Sequence, residues 1–317
     1  MVFDDISLKR ALLRIWPKYL FAKKRLAFKR GARPVSVADR LTDRKDKSYV
    51  EPWAFIRVKN ERLTLQASLN SILPAINKGV IAYNPCTDGS DKIIEDFCKA
   101  NPGFIPLYYD KPIIADLSSG IDPKSIPFEN TLAGYYQAAL DVIPKGAWIK
   151  KIDVDMIYYP EILKHSFSLL QDERDWVSYS RLNLYLTDDG EIRYISYVRP
   201  GDDWLVYNDG LSFDNKVKGE GKNKALIERL VIRSKFKRDF SFSPECSAIH
   251  FPYQKKYRRG NLVPDKLMSF EDYALQAPRN EISDAVLDLR TIQQICRGFC
   301  WDGAMPLALR EPSICLE

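Results

Sequence analysis

Two carboxylates one residue apart, Asp153 and Asp155 in WIKKIDVDMIYYP (148–160), are the side chains best suited to do chemistry in this chain. Their approach is apolar and β-favouring (Trp148, Ile149, Ile152), and Pro160 closes an aromatic exit. Side chains at i and i+2 of a strand share a face. A strand that breaks as it reaches Asp153 therefore turns both carboxylates toward one site at its carboxyl end. Two such oxygen ligands suit a hard divalent cation, Mg²⁺ or Mn²⁺, which in turn can neutralise a diphosphate. A D-x-D triplet arises by chance about once in a chain of this size, so its context must carry it. This is the sequence's only one.

The elements that must position the pair can be read on either side of it. PWAFIRVKN has the aromatic and β-branched content of a strand ending at Lys59 and Asn60, and Glu61 to Leu73 has helical spacing (Leu63, Leu65, Leu69, Ile72, Leu73). Gly79 to Tyr83 is a second strand, stopped by the turn formers NPCTDGSD; Lys92 to Ala100 is a helix and Phe104 to Tyr109 a third strand. A loop over 109–127 precedes a helix, Asn130 to Val142, that feeds the D-x-D strand. Alternation at this spacing predicts βαβ units and a parallel sheet, with ligand sites beyond the carboxyl ends of its strands. Pro160 can open a further helix to Leu170, in which His165 is an ordinary helix residue. Asp175–Leu186 and Glu191–Val198 predict a β-hairpin around TDDG. RPGDDWLVYNDG reads as a turn, 215–238 as a mobile loop with a short helix, and the chain from Ser269 as a helical tail.

At 317 residues and 45% hydrophobic, the chain can bury a substantial core, and no run of eighteen apolar residues suggests a membrane span. Six scattered cysteines and two histidines argue against a structural zinc site and for reduced thiols in a cytoplasm. The net charge of +6 is uneven: residues 1–34 carry +8, leaving the rest slightly negative. Residues 7–30 form a basic amphipathic segment, divided by Pro17, that can lie on an anionic membrane. An arm packing on its own domain and a nucleic-acid-binding arm are the alternatives. Nucleic acid is not an expected partner of the domain, because backbone binding needs a basic face. The division expected is a basic leader and linker (1–45), a catalytic domain (46–268) and a helical tail (269–317).

A parallel βα sheet with paired carboxylates at an inner strand's end suggests a nucleotide-sugar enzyme of the glycosyltransferase A (GT-A) type. Asp88, Arg57, Asn60 and Glu61 then lie in loops where a uridine can be held. Lys151, Lys255, Lys256 and Arg258 offer cationic help to the diphosphate. His250 is a candidate third metal ligand beside Asp153 and Asp155, its alternative being a histidine bonded within a β-hairpin.

The stretches PWAFIRVKNERLTLQASLNSILPAINKGVIAYNPCTDGSDKIIEDFC, WIKKIDVDMIYYPEILKHSF and IHFPYQKKYR resemble the bacterial β-1,4-N-acetylgalactosaminyltransferases that build ganglioside-like lipooligosaccharide ends. The resemblance is strongest over 53–179. It implies a GT-A fold, a mostly parallel Rossmann-like sheet flanked by helices with a small β-hairpin insertion, and inversion from a UDP-GalNAc donor with a divalent metal. By position it implies that Asp153 and Asp155 are the metal-binding D-x-D, Asp88 the acidic residue near uracil, and Arg57, Asn60 and Glu61 the first loop. Pro200–Asp202 and the Glu245–His250 spacing also have counterparts, and Asp202 and Glu245 are both candidates for the base. The departures, 109–130 and 205–240, fall where an acceptor pocket is shaped. The expected acceptor is a lipooligosaccharide or an O-antigen or capsule intermediate, at the inner face of the cytoplasmic membrane. The rivals are a β-galactosyltransferase using UDP-Gal and a non-catalytic sugar-nucleotide or glycan-binding protein.

Overall fold

Strands rich in apolar, β-favouring residues suit the inside of a layered sheet, and β2 (Trp53–Val58), β3 (Gly79–Tyr83) and β5 (Trp148–Ile152) lie there, with β4 (Phe104–Tyr108) at the edge, its Ile105 and Tyr108 exposed. They run parallel in the order β5-β2-β3-β4, with Ile56 beside Ile81 and Ile152. The computed structural model describes residues 33–34, 50–170, 172–195, 199–232, 239–254, 267–270, 272–273 and 289–309, with the backbone alone for 33–34, 180, 199–202 and 239–246.

Alternate residues of β2 point into two cores. Ala54, Ile56 and Val58 meet Leu65, Leu69 and Ile72 of helix α1 (Arg62–Ile72) and Ile94 and Phe97 of α2 (Ser90–Ala100). Phe55 faces the other way, onto α3 (Leu132–Asp141). Full burial of one such side chain contributes about 1.5–3 kcal/mol. Thr131 starts α3 by accepting the Gly134 N–H at 3.1 Å, and Gly134 has no room for a side chain, since a Cβ there would lie 2.1 Å from the Phe128 carbonyl oxygen. Pro160 opens α4 (Pro160–Ser166), where it costs no hydrogen bond.

The sheet's other half is mixed. β9 (Arg199–Tyr207) lies antiparallel between β5 and β7 (Asp175–Leu186); β12 (Asp239–His250) follows parallel to β7, and β1 (Arg33–Pro34) closes the edge. The short β6 (Met156–Tyr158) pairs with β12, and β8 (Ile192–Ile195) pairs with β7 and with β13 (Leu267–Met268). The region expected as a turn, RPGDDWLVY, is thus an inner strand. Its charge disguised it: Asp203 is buried because Lys150 of β5 neutralises it.

The stretch 215–238, expected as a loop with a short helix, contains a hairpin of β10 (Ser212–Lys218) and β11 (Ala225–Val231), packed on α3. The hairpin expected around TDDG is present, Leu184–Leu186 of β7 pairing antiparallel with Ile192–Tyr194 of β8, while the rest of β7 runs through the main sheet. In the tail, Ile292 and Cys296 of α5 (Leu289–Arg297) join Leu182, Leu184 and Tyr194 in a third core, and β13 adds a strand before it.

Candidate functional site

β5 ends at Ile152, and Asp153, Val154 and Asp155 form the turn into β6. Four hydrogen bonds fix that turn. The Met156 N–H closes it on Asp153 O at 3.2 Å, and the Asp153 N–H donates to Tyr158 Oη at 3.1 Å. Thr64 Oγ1 donates to Val154 O at 2.8 Å, and the Phe251 N–H to Asp155 O at 2.8 Å. A cavity of about 820 Å³ opens beyond the carboxyl ends of the parallel strands, and both carboxylates are on its wall.

The two acids have different surroundings. Asp153 is held by two cations: Oδ1 accepts from Arg57 Nη2 at 2.9 Å, and Oδ2 pairs with Lys151 Nζ. Arg57, at the end of β2, is 6% exposed and lies 4.0 Å from the centre of the Tyr136 ring and 4.7 Å from that of Phe55. Burial by itself would lower the Arg57 pKa, but Tyr136, Asp153 and Glu228 more than offset it, and the net shift is upward.

Asp155 faces His250 across 3.4 Å, Oδ2 to Nε2. Register brings them together: His250 ends β12 beside Met156 of β6 and Asn183 of β7. Its Nδ1 lies 2.7 Å from Asn183 Oδ1. An amide oxygen only accepts, so Nδ1 carries a proton, and Nε2 is the ring nitrogen turned toward the Asp155 carboxylate. An imidazole nitrogen and a carboxylate oxygen brought together at a strand end are an N,O pair of the kind that fits a divalent metal. Among the described residues no three His, Cys, Asp or Glu side chains gather as a metal cluster. Of the expected trio, Asp155 and His250 face each other, and Asp153 is turned to Arg57 and Lys151. His250 is bonded across the main sheet and not within a hairpin.

Beneath the turn, Lys150 Nζ pairs with Asp203 Oδ1, donates to Lys151 O at 2.9 Å and lies 4.1 Å from the centre of the Tyr179 ring. Burial lowers the Lys150 pKa and raises that of Asp203. This pair braces β5 against β9.

The remaining expected residues divide by what they touch. Glu61 lines the cavity at the start of α1, its N–H donating to Ser90 Oγ at 2.9 Å. Asn60 and Asp88 lie outside the lining. Asn60, in the left-handed region at φ 53°, accepts the Thr87 N–H at 2.9 Å and so ties the loop after β2 to that after β3. Asp88 accepts the N–H groups of Arg62 and Ser90, each at 3.0 Å. Burial opposes its charge, but these donors more than compensate and hold its pKa below the usual carboxylate value. Asp202 and Glu245 lie in β9 and β12 with their side chains outside the described ones, and Lys255, Lys256 and Arg258 lie outside the described residues.

Sequence reasoning missed Arg181, Tyr136 and Glu228 on the cavity wall and Asn183 behind His250. Arg181 and Asn183 alternate with the buried Leu182 and Leu184 along β7, a period-2 pattern that places both polar residues on one face.

The family model for beta-1,4-N-acetylgalactosaminyltransferase (CgtA) matches residues 37–299. The chain belongs to this glycosyltransferase family. The family's match runs from before β2 to the end of α5 and so contains every element that positions the site. No curated protein matches the chain. Solved structures that match include S. aureus TarS (13% identity, 44% of this chain and 22% of that one, TM-score 0.29) and a mycobacterial protein (12%, 55% and 58%, 0.32). A third is M. tuberculosis glucosyl-3-phosphoglycerate synthase (14% identity, 56% and 64%, TM-score 0.32). The chain spans less than two thirds of each of these, and at such TM-scores the likeness carries no functional weight.

Proposed function

We propose that the chain is an inverting, metal-dependent glycosyltransferase that moves GalNAc from UDP-GalNAc to a hydroxyl of a lipooligosaccharide or another surface glycan, in β-1,4 linkage. The observation that carries this is the meeting of Asp155 and His250 beside a cation-held Asp153, on a cavity at the ends of parallel strands, in a member of this family. Asp155 and His250 would hold Mn²⁺ or Mg²⁺, which when bound neutralises charge gathering on the departing diphosphate. Lys151 and Arg181 add positive charge to the same wall, as do Lys255, Lys256 and Arg258 in this reading. Arg57 orients Asp153, Asn60 and Asp88 hold the loops under the uridine, and Glu61 lines that end of the cavity.

In a single in-line displacement, the acceptor oxygen bonds to the anomeric carbon as the bond from that carbon to the phosphate oxygen breaks. UDP leaves with the electron pair, and Asp202 or Glu245 takes the acceptor's proton. Configuration inverts because the two bonds lie on opposite sides of the carbon. No helix among the described residues is long and apolar enough to cross a membrane. The basic segment 7–30 is proposed to hold the enzyme at the cytoplasmic membrane's inner face, near its acceptor.

The test is a donor screen read by UDP release with a lipooligosaccharide acceptor, with and without EDTA. UDP-GalNAc should turn over, EDTA should abolish turnover, and Mn²⁺ should restore it. Preference for UDP-Gal would make the chain a β-galactosyltransferase, UDP binding without turnover a non-catalytic binder, and full activity in EDTA would contradict metal dependence.

A further inference from the structure

Hairpin β10–β11 carries a carboxylate where its pattern calls for an apolar residue. Along β11, Leu226 is buried in one core cluster and Leu230 packs against another, and Glu228 lies between them at period 2 on the same face. Its cross-strand neighbour is Asn215, while the preceding inward position of β10, Phe213, packs on Phe55 and Tyr136. Turning a carboxylate inward has a desolvation cost that an outward position avoids. Here it puts Glu228 on the cavity wall.

The hairpin, in a stretch whose sequence pointed to the acceptor pocket, stands on the side of the cavity where the reading above puts the nucleoside. The Leu226 N–H donates to Ala115 O at 2.7 Å, and the Leu117 N–H to Lys224 O at 3.0 Å, which ties β11 to the loop after β4. The charge of Glu228 is felt by Arg57, at the end of β2. Arg181 and His250 line the cavity from β7 and β12, on the other side of the D-x-D turn. Of the other acids on the wall, both oxygens of Asp153 are paired, Asp155 faces His250, Asp110 pairs with Lys111 at 3.4 Å, and Glu61 sits at the start of α1.

We propose that Glu228 reads the ribose of the bound nucleotide, its carboxylate accepting hydrogen bonds from the 2′- and 3′-hydroxyls. An ionised carboxylate is the acceptor that a vicinal diol binds best, and Asp or Glu serves ribose hydroxyls in dinucleotide sites built on similar sheets. This rests on the nucleotide-sugar reading above and adds a specificity residue to it.

The test is calorimetric binding of UDP and of 2′-deoxy-UDP, with Mn²⁺, to the full chain and to Glu228→Ala and Glu228→Gln. The parent should prefer UDP, and Glu228→Ala should lose roughly tenfold or more of UDP affinity together with that preference. Glu228→Gln, which keeps the side chain's volume and an acceptor oxygen, should lie between, and it decides the matter if Glu228→Ala does not fold. A parent without the preference, or a folded variant that keeps it, overturns the assignment. So does unchanged UDP affinity with a raised acceptor KM, which would make Glu228 an acceptor contact. A parent that binds no UDP overturns the donor reading as well, so the two failures are distinguishable.

Discussion

Asp153 and Asp155 stand two residues apart and do different work: one is held by Arg57 and Lys151, the other meets His250. Asp155→Ala should therefore reduce transfer by about 10²-fold or more with an unchanged thermal melt, because the proposed Asp155–His250 metal pair would lose its carboxylate. A folded Asp155→Ala protein with parental turnover would sink that role. Arg57→Met leaves Asp153 with Lys151 alone, and Asp153→Asn removes the charge that Arg57 holds. If Arg57 acts through Asp153, the two substitutions together should cost little more activity than either alone, whereas additive losses would mean that Arg57 has its own contact with substrate. At this scale the D-x-D was legible because it is unique and follows an apolar strand. Arg181, Asn183 and Glu228 were not, since each is a single polar residue on a strand and only the register of distant strands brings it to the cavity.

The parallel strands β2 to β5 and their helices were legible as elements, because short β-favouring apolar runs bounded by turn formers and helices with a clear apolar stripe leave few other readings. β9 was not, because Asp203 inside a strand looks like a turn until Lys150 is set opposite it; β10 and β11 were not, because their outward positions are densely charged. The same Lys150–Asp203 pair makes a prediction about β5 and β9. Lys150→Met strands a buried carboxylate and should destabilise the protein by about 3–5 kcal/mol, and adding Asp203→Leu should recover part of that. Chemical denaturation decides it, and a Lys150→Met cost under about 1 kcal/mol would contradict the brace. Asp88 joins the first turns of α1 and α2, and its folded pKa is depressed. A depressed carboxylate contributes stability above its unfolded value, about 3.9, that is lost as pH falls through the lower folded one. The stability gap between the parent and Asp88→Ala should thus be constant near neutrality and close in acid below about pH 4; a gap that widens there would show the sign to be wrong.

For the whole molecule, the charge asymmetry is the feature that sequence alone exposes, since +8 on residues 1–34 exceeds the chain's net +6. Co-sedimentation with vesicles of anionic lipid should be strong at low salt, weaken as salt is raised, and fall sharply when Lys23, Lys24 and Arg25 are all changed to Glu. Binding that ignores both salt and those substitutions would remove the proposed membrane role. The account as a whole depends on a nucleotide diphosphate held through a cation at the D-x-D turn. The most direct measurement is UDP affinity with Mn²⁺ and with EDTA, for the parent and for Asp155→Ala. The parent should bind at least about tenfold more tightly with Mn²⁺ and Asp155→Ala should lose that gain, whereas equal affinity in all four conditions would contradict it.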